Sequence, residues 1–144
     1  MPVRTANAEW RGDLKSGSGN VSTETKTLSN TKYNFVSRFE QGDQTNPEEL
    51  IGAAHSACFS MAFANVLATA GFKVNYVRTT DKVNFEKQEA GFTITKIDMT
   101  TEADVEGISE EDFQKHAEAA KKACPISRAL NPSINLNLNA TLKK

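Results

Sequence analysis

Alternation of apolar and polar residues along the chain predicts strands at both ends and in the middle. In chain order, the predicted strands cover about residues 5–11, 21–28, 33–40, 74–86, 92–105 and 134–142. The stretch YNFVSRFE places Tyr33, Phe35 and Phe39 on one side of the third strand. Because residues two apart share a strand face, each of these strands can bury one face against a core.

Two other segments have the spacing and the end signals of helices. The first has Asn46 as a favourable N-cap and Pro47 at its first helical position, with Glu49 placed to complete a capping box. This helix is predicted to extend to about Ala70, where Gly71 favours a left-handed stop.

The second predicted helix begins at Ser109 and is ended by Pro125, which cannot continue a helix. An apolar stripe runs along it, made of Phe113, Ala117, Ala120 and Cys124. The element order is then three strands, a helix, two strands, a helix and a strand. This order favours an α+β fold with curled, mostly antiparallel sheets.

The segment from Leu50 to Ala70 is apolar on every side and contains no Lys or Arg. A helix of this kind must be covered on all sides. Its alanines and its polar residues, including His55 and Thr69, make it less hydrophobic than a typical membrane span. We therefore expect a long buried central helix, covered by the shorter second helix or by a second subunit, so that a homodimer is the predicted assembly.

Composition narrows the class of protein. The chain has 144 residues and a formal net charge of -1, which suits one soluble domain spanning residues 1–144. There is no surplus of basic residues, so a nucleic acid or an anionic membrane is not the expected partner. The start, MPVRTANAEWRGD, lacks the apolar stretch of a signal peptide. We therefore predict a cytoplasmic protein, in which cysteines are normally reduced.

The two cysteines, Cys58 and Cys124, allow three interpretations: inert core residues, ligands of a metal, or a redox pair. A zinc site needs four ligands, and His55 and His116 would complete the count. However, His116 and Cys124 would lie about 12 Å apart along a helix axis, which argues against a shared metal. A nucleophile pair of Cys58 and His55 is geometrically conceivable, whereas a partly buried His55 that makes one hydrogen bond is the more ordinary arrangement.

The two cysteines are predicted to have different surroundings. Burial in an apolar helix raises the pKa of Cys58, so its activation needs a cation from outside that helix. Cys124 lies at the C-terminal end of the second helix, where the helix dipole disfavours a thiolate by about 1 kcal/mol. Pro125 also favours an extended backbone at Cys124. Cys124 is therefore the weaker candidate for the first nucleophile and the better candidate for its partner.

Several stretches of the chain resemble the OsmC/Ohr family of peroxide-reducing proteins. They are TNPEELIGAAHSACFSMAFA around Cys58 and KKACPIS around Cys124. Two further stretches, SRFEQGDQTNPEEL and AEWRGDLKSGSG, are most similar to the OsmC branch, the osmotically inducible proteins. The resemblance extends over essentially the whole chain.

The resemblance implies an intertwined α+β homodimer with two active sites at the subunit interface. It implies a thiol-dependent peroxidase of oxidative and osmotic stress defence that uses no cofactor and no metal. The positions that match the family's reactive cysteine, resolving cysteine, catalytic arginine and conserved glutamate are Cys58, Cys124, Arg38 and Glu48. The implied substrates are organic hydroperoxides and hydrogen peroxide. The implied reductant is an external dithiol, of the dihydrolipoyl type in some members.

In the cycle that the resemblance implies, Arg38 favours the Cys58 thiolate, which attacks the peroxide and becomes a sulfenic acid. Cys124 then forms a disulfide with Cys58, and the dithiol reduces it. Glu48 can hold Arg38 in a bidentate pair. Ten residues of continuous helix would separate Glu48 from Cys58 by about 15 Å, so the glutamate must precede a helix break or come from the other subunit. The alternative function is a non-catalytic redox sensor or binding protein that uses the same thiols as a switch.

Overall fold

The computed structural model describes residues 1–144 and has a mixed α+β fold. In chain order the elements are β1 (Ala6–Arg11), β2 (Ser18–Thr23), β3 (Thr31–Tyr33), α1 (Phe35–Phe39), α2 (Pro47–Thr69), β4 (Lys73–Gln88), β5 (Gly91–Glu106), α3 (Glu110–Ala123), α4 (Pro125–Leu130) and β6 (Asn135–Leu142). The chain divides into two compact units, Met1–Leu50 and Ile51–Lys144. The predicted fold class, with one long helix and a second shorter one, is confirmed.

The first unit contains an antiparallel sheet of β1, β2 and β3 in that order. The rings of Trp10 and Tyr33 lie across β2 from each other, with their centroids 5.4 Å apart. Gly19 of β2 lies between them, and a Cβ at this position would come within 2.7 Å of both rings. The close approach of the two rings therefore requires glycine at position 19.

The prediction of a strand over residues 33–40 is wrong, because this stretch ends β3 at Tyr33 and then forms the short helix α1. Asn34 caps α1: its Oδ1 accepts from the Ser37 N–H, and the Ser37 hydroxyl accepts from the Asn34 N–H. Phe35 and Phe39 stack with ring centroids 4.9 Å apart. Residues four apart share a helix face as well as a strand face, so the aromatic spacing fits both structures.

The second predicted strand, over residues 21–28, is also displaced, since β2 begins at Ser18 and ends at Thr23. There the chain turns, with the Thr23 N–H donating to the Leu28 carbonyl. Lys26 and Asn30 take positive φ angles of 61° and 49°. Isolated residues in the left-handed region mark a turn, which ends the strand pairing.

The second unit contains a sheet of β4, β5 and β6 in that order. The hairpin of β4 and β5 is antiparallel, whereas β6 pairs with β5 in parallel. A parallel pair needs a long crossover, which α3 and α4 supply. The core under this sheet includes Phe59 and Phe63 of α2, Phe113 of α3 and Met99 of β5, each with at most 1% of its surface exposed.

The ends of α2 follow the predicted signals. The Glu49 N–H donates to Asn46 Oδ1 over 2.8 Å, and Gly71 after the helix has a φ of 92°. The Glu49 side chain does not complete a capping box, because its Oε2 accepts from the Thr45 hydroxyl. The helix is unbroken from Pro47 to Thr69, so the alternative of a helix break between Glu48 and Cys58 is wrong.

The burial of α2 differs between its faces. Phe59, Phe63 and Leu67 are fully buried, whereas Met61 on another face is 78% exposed. The small residues Ala53, Ala54, Ala57 and Ala68 are exposed too. The helix is long and apolar enough to cross a membrane, a property that the core helix of a soluble protein can share. In the single chain, the prediction of a buried helix holds for one face.

Candidate active site

The centre of the candidate site is a pair of sulfurs from distant parts of the sequence. Cys58 lies in the middle of α2, and Cys124 lies between α3 and α4. Their Sγ atoms are 2.9 Å apart and hydrogen-bonded, and both thiols are free. Cys124 is fully buried, whereas Cys58 is partly exposed. A small reactant from solution therefore meets Cys58 first.

Cys124 lies at the junction of two helices, of which the sequence predicts only the first. The stripe of α3 is buried as expected, and Pro125 does interrupt the helix. Pro125 also begins α4, however, and Cys124, with a φ of -61° and a ψ of 119°, is at once the C-cap of α3 and the N-cap of α4. Its Sγ accepts the Ser127 N–H over 3.5 Å.

This junction overturns the dipole argument about Cys124. Burial alone would raise the pKa of Cys124. The hydrogen bond that it shares with Cys58, together with donation from the Ser127 hydroxyl and from the backbone N–H groups of Ser127 and Ile126, outweighs burial and lowers this pKa. The backbone donors at the start of α4 replace the unfavourable end of α3 as the nearest helix terminus. The single chain therefore surrounds Cys124 with hydrogen-bond donors that lower its pKa.

Cys58 has the surroundings that the sequence predicts. Burial raises the pKa of its thiol, the hydrogen bond and the charge of Cys124 raise it further, and the Ile126 N–H lowers it in part. A Cys58 thiolate at neutral pH therefore requires a cation beside the sulfur.

The predicted arginine and glutamate form a second pair, within the unit Met1–Leu50. Arg38 is in α1 and Glu48 is in the first turn of α2. Nε and Nη2 of Arg38 donate to the same oxygen, Glu48 Oε1, over 3.2 and 3.0 Å. The pair is therefore not the two-oxygen bidentate arrangement that was expected. Glu48 Oε2 is buried and has no hydrogen-bond partner.

An apolar cavity of about 240 Å³ opens beside Arg38. Its lining consists of Trp10, Leu14, Tyr33, Asn34, Phe35, Arg38 and Phe39. The guanidinium carbon of Arg38 also lies 5.3 Å from the centre of the Phe39 ring. One charged group at the edge of an apolar cavity suits a ligand with a polar head and a hydrocarbon tail.

The structure thus brings the four predicted residues together as two pairs. It also joins His55, which was weighed as a metal ligand or as a partner of Cys58, to Asp81 and Ser127, which the sequence analysis did not single out. His55 is fully buried, and both of its ring nitrogens are hydrogen-bonded. Nδ1 contacts Asp81 Oδ2, and Nε2 lies 2.7 Å from Ser127 Oγ. The expectation of a partly buried His55 with one hydrogen bond is wrong. A Cys58–His55 pair is not formed either, since no ring nitrogen is left for it.

One of these residues carried a signal in the sequence. Asp81 lies two positions before Val83 in β4 and therefore on the same face of the strand. Its side chain is 1% exposed. A carboxylate on the inward face of an alternating strand needs a buried partner, and His55 is that partner. Ser127 follows Pro125 in a short helix that the pattern did not reveal, so nothing pointed to it.

Comparisons with known proteins point to one protein family. The family model described as OsmC-like protein matches residues 40–139. The chain is 46% identical over 134 residues, 93% of this chain and 94% of the relative, to Peroxiredoxin OsmC of Escherichia coli (strain K12). It is 29% identical over 102 residues, 70% of this chain and 72% of the relative, to an organic hydroperoxide resistance protein-like protein of Staphylococcus aureus (strain USA300).

Solved structures agree with this assignment. The crystal structure of an organic hydroperoxide resistance protein from Elizabethkingia anophelis matches with a TM-score of 0.75 and 26% sequence identity. The match covers 99% of each chain.

Proposed function

This chain belongs to the OsmC-like protein family, and we propose that it is a thiol-dependent peroxidase that reduces organic hydroperoxides. The observation that carries the proposal is the 2.9 Å contact between Cys58 and Cys124. One of these sulfurs is accessible and the other is buried directly behind it. That arrangement suits a sulfur that meets the oxidant and a second sulfur that resolves the product.

In the proposed first step, the Cys58 thiolate attacks the terminal oxygen of the hydroperoxide. The O–O bond breaks, Cys58 becomes a sulfenic acid, and the alkoxide takes up a proton and leaves as an alcohol. Arg38 supplies the cation that Cys58 lacks and donates to the peroxide oxygens while the charge develops. Glu48 holds the guanidinium in place, and the cavity beside Arg38 accepts the alkyl group.

In the second step, the Cys124 sulfur attacks the sulfenic sulfur of Cys58. The new S–S bond forms, the S–O bond breaks, and water is released. An external dithiol, which we propose is of the dihydrolipoyl type, then reduces the disulfide by exchange. We place this cycle in the cytoplasm, as part of the defence against oxidative and osmotic stress, with hydrogen peroxide as a second substrate.

We further propose that the working unit is a homodimer of single-domain chains, in which the partner subunit's copy of the Arg38–Glu48 pair serves Cys58. The support is the unbroken helix α2 and its exposed face of small residues around Met61. A second copy of this chain would cover that face. The solved relative that matches over 99% of this chain supports treating residues 1–144 as one domain.

The test is turnover of cumene hydroperoxide with excess dihydrolipoamide. A peroxidase consumes many equivalents per chain, whereas a switch stops after one. Cys58→Ser should abolish consumption, since no sulfenic acid can form. Cys124→Ser should complete one round and then over-oxidise at Cys58, seen as added oxygen in the intact mass. Full turnover by Cys58→Ser, or a wild-type reaction that stops after one equivalent, would remove the proposal.

A further inference from the structure

A chain of buried hydrogen bonds leads away from Cys124 and has no part in the cycle above. It consists of Ser127 in α4, His55 in α2 and Asp81 in β4, here called the histidine cluster. His55 and Asp81 have side chains that are 0% and 1% exposed, and Ser127 is 1% exposed. A buried carboxylate and imidazole are costly to retain unless they are paired. Here α2, β4 and α4 each contribute one residue to that pairing.

The hydrogen bonds of the cluster have one consistent direction. An ionised Asp81 only accepts hydrogen bonds, so Nδ1 of His55 carries the proton that faces Oδ2. Nε2 is then the acceptor, and the Ser127 hydroxyl donates to it over 2.7 Å. The remaining lone pairs of Ser127 Oγ are free to accept a proton from a neighbour.

That neighbour is Cys124. The Ser127 N–H donates to Cys124 Sγ over 3.5 Å. The Ser127 hydroxyl is also a donor to the ionised form of this sulfur, which is one of the causes that lower the pKa of Cys124. The ionisable groups that face Cys124 are therefore Cys58 from α2 and, through Ser127, the pair of His55 and Asp81. Ser127 therefore links the sulfur to the imidazole, since its N–H bonds the sulfur and its hydroxyl bonds Nε2 of His55.

The same three residue types, in the same order, activate the nucleophile of serine hydrolases. Here Ser127 and His55 are closed off from solvent, so no ester or amide can reach the hydroxyl. The reactive group that Ser127 contacts, through its backbone N–H, is the sulfur of Cys124.

We propose that the histidine cluster accepts the proton of the Cys124 thiol while this sulfur attacks oxidised Cys58. Ser127, His55 and Asp81 are thus positioning residues for the resolving step, and this inference rests on the proposed function. The proton passes from Sγ to Ser127 Oγ as the hydroxyl proton moves to Nε2 of His55. The S–S bond forms, the S–O bond of the sulfenic acid breaks, and hydroxide leaves. The imidazolium returns its proton through Ser127, and water results.

The test compares the full-length wild type with Ser127→Ala, which removes the hydroxyl but keeps the N–H that donates to Cys124 Sγ. One equivalent of cumene hydroperoxide is added, and acid-quenched samples are analysed by mass spectrometry for sulfenic acid and disulfide. Formation of the sulfenic acid should be unchanged, while disulfide formation should slow at least about 100-fold, the lower end of general-base effects. Equal rates of disulfide formation would overturn the proposal.

A pH series separates a proton path from a packing defect. In Ser127→Ala the solvent must remove the thiol proton, so the difference from wild type should close as the pH rises above the ordinary pKa of cysteine. A deficit that stays constant at every pH would assign Ser127 a structural role and overturn the proposal. Ser60→Ala is the matched control, because it removes another helix hydroxyl, one bonded to Thr79. Asp81→Asn, which keeps the side-chain shape, should slow the same step.

A second oxidant separates this inference from the proposed function. Diamide oxidises a thiol to an adduct that a second thiol displaces, so it reports the attack by Cys124 without any peroxide chemistry. If Ser127→Ala slows disulfide formation with diamide, the role of the histidine cluster is supported. If the wild type also fails to turn over hydroperoxide, the peroxidase function is ruled out while the inference about the cluster stands. Unchanged diamide kinetics would remove the histidine cluster, whatever the peroxidase assay shows.

Discussion

Glu48 and Asp81 are both buried carboxylates with one unpartnered oxygen, yet their partners differ in access to solvent. Glu48 holds Arg38, whose side chain is 37% exposed, whereas Asp81 holds His55, which is fully buried. The first carboxylate anchors a cation that can touch a ligand. The second anchors a ring that can act only through its protein neighbours. The exposure of the partner thus indicates which pair meets the substrate.

The largest expected effect comes from the pair with an exposed partner. Arg38→Ala should lower kcat/KM for cumene hydroperoxide by about 100-fold or more, because it removes both the activating cation and a donor to the peroxide oxygens. It should also raise the pKa of Cys58, which shifts the rise of the rate to higher pH. Arg38→Lys, which keeps the charge but not the two-nitrogen contact with Glu48, is the matched control.

Mixing variants tests whether Arg38 acts across a dimer. Arg38→Ala and Cys58→Ser chains, each inactive alone, are combined in equal amounts and allowed to re-associate. If the partner supplies Arg38, half of the dimers regain one intact site, and about a quarter of the wild-type activity returns. No recovery would place Arg38 in the same chain as the cysteine that it serves. An unchanged Cys58 pKa in Arg38→Ala would remove Arg38 as the activating cation.

The next prediction concerns stability, to which the His55–Asp81 pair should contribute more than the Arg38–Glu48 pair. Asp81→Asn should lower the free energy of unfolding by about 3 kcal/mol, the upper end for a buried hydrogen bond to a charged group, because it replaces the ionised acceptor of the His55 Nδ1–H with a neutral amide. Glu48→Gln should lower it by about 1 kcal/mol, since solvent screens the half-exposed Arg38. Urea unfolding of both variants measures the difference. A larger loss for Glu48→Gln would contradict the distinction between the two pairs.

The smallest expected effect is a shift in the ionisation of Cys58. Cys124→Ser removes a hydrogen bond and a charge that raise the pKa of Cys58, so this pKa should fall. A lower pKa means more thiolate at a given pH, so the single remaining round of oxidation should be faster near neutral pH. Thiolate absorbance during a pH titration gives the pKa, and an increase would contradict the prediction.

Elements with strong local signals could be predicted from the sequence. Asn46 and Gly71 bound α2 as predicted, because a capping side chain and a left-handed glycine act on their own few residues. The stretch 33–40 misled the prediction, since its aromatic spacing fits a helix and a strand equally well. There the capping by Asn34 and Ser37 decided the outcome.

Site residues that belong to a sequence motif could be predicted. Those that only tertiary contacts bring together could not. The resemblance identified Cys58, Cys124, Arg38 and Glu48, and the structure groups them as two pairs. The histidine cluster joins α2, β4 and α4, whose residues are separated by 26 and 72 positions from His55. No local pattern encodes such a meeting. The short helix α4 also reversed the electrostatic argument about Cys124.

Because Cys124 caps two helices, its redox state should be detectable in the backbone of α4. The atom that reacts is also the acceptor for the first turn of α4, through the Ser127 amide. When that sulfur becomes part of a disulfide, it can no longer ionise, so it is a weaker acceptor for this amide. The amide proton of Ser127 should then exchange faster with solvent deuterium in the oxidised protein than in the reduced one. One backbone resonance would report the redox state of the whole molecule.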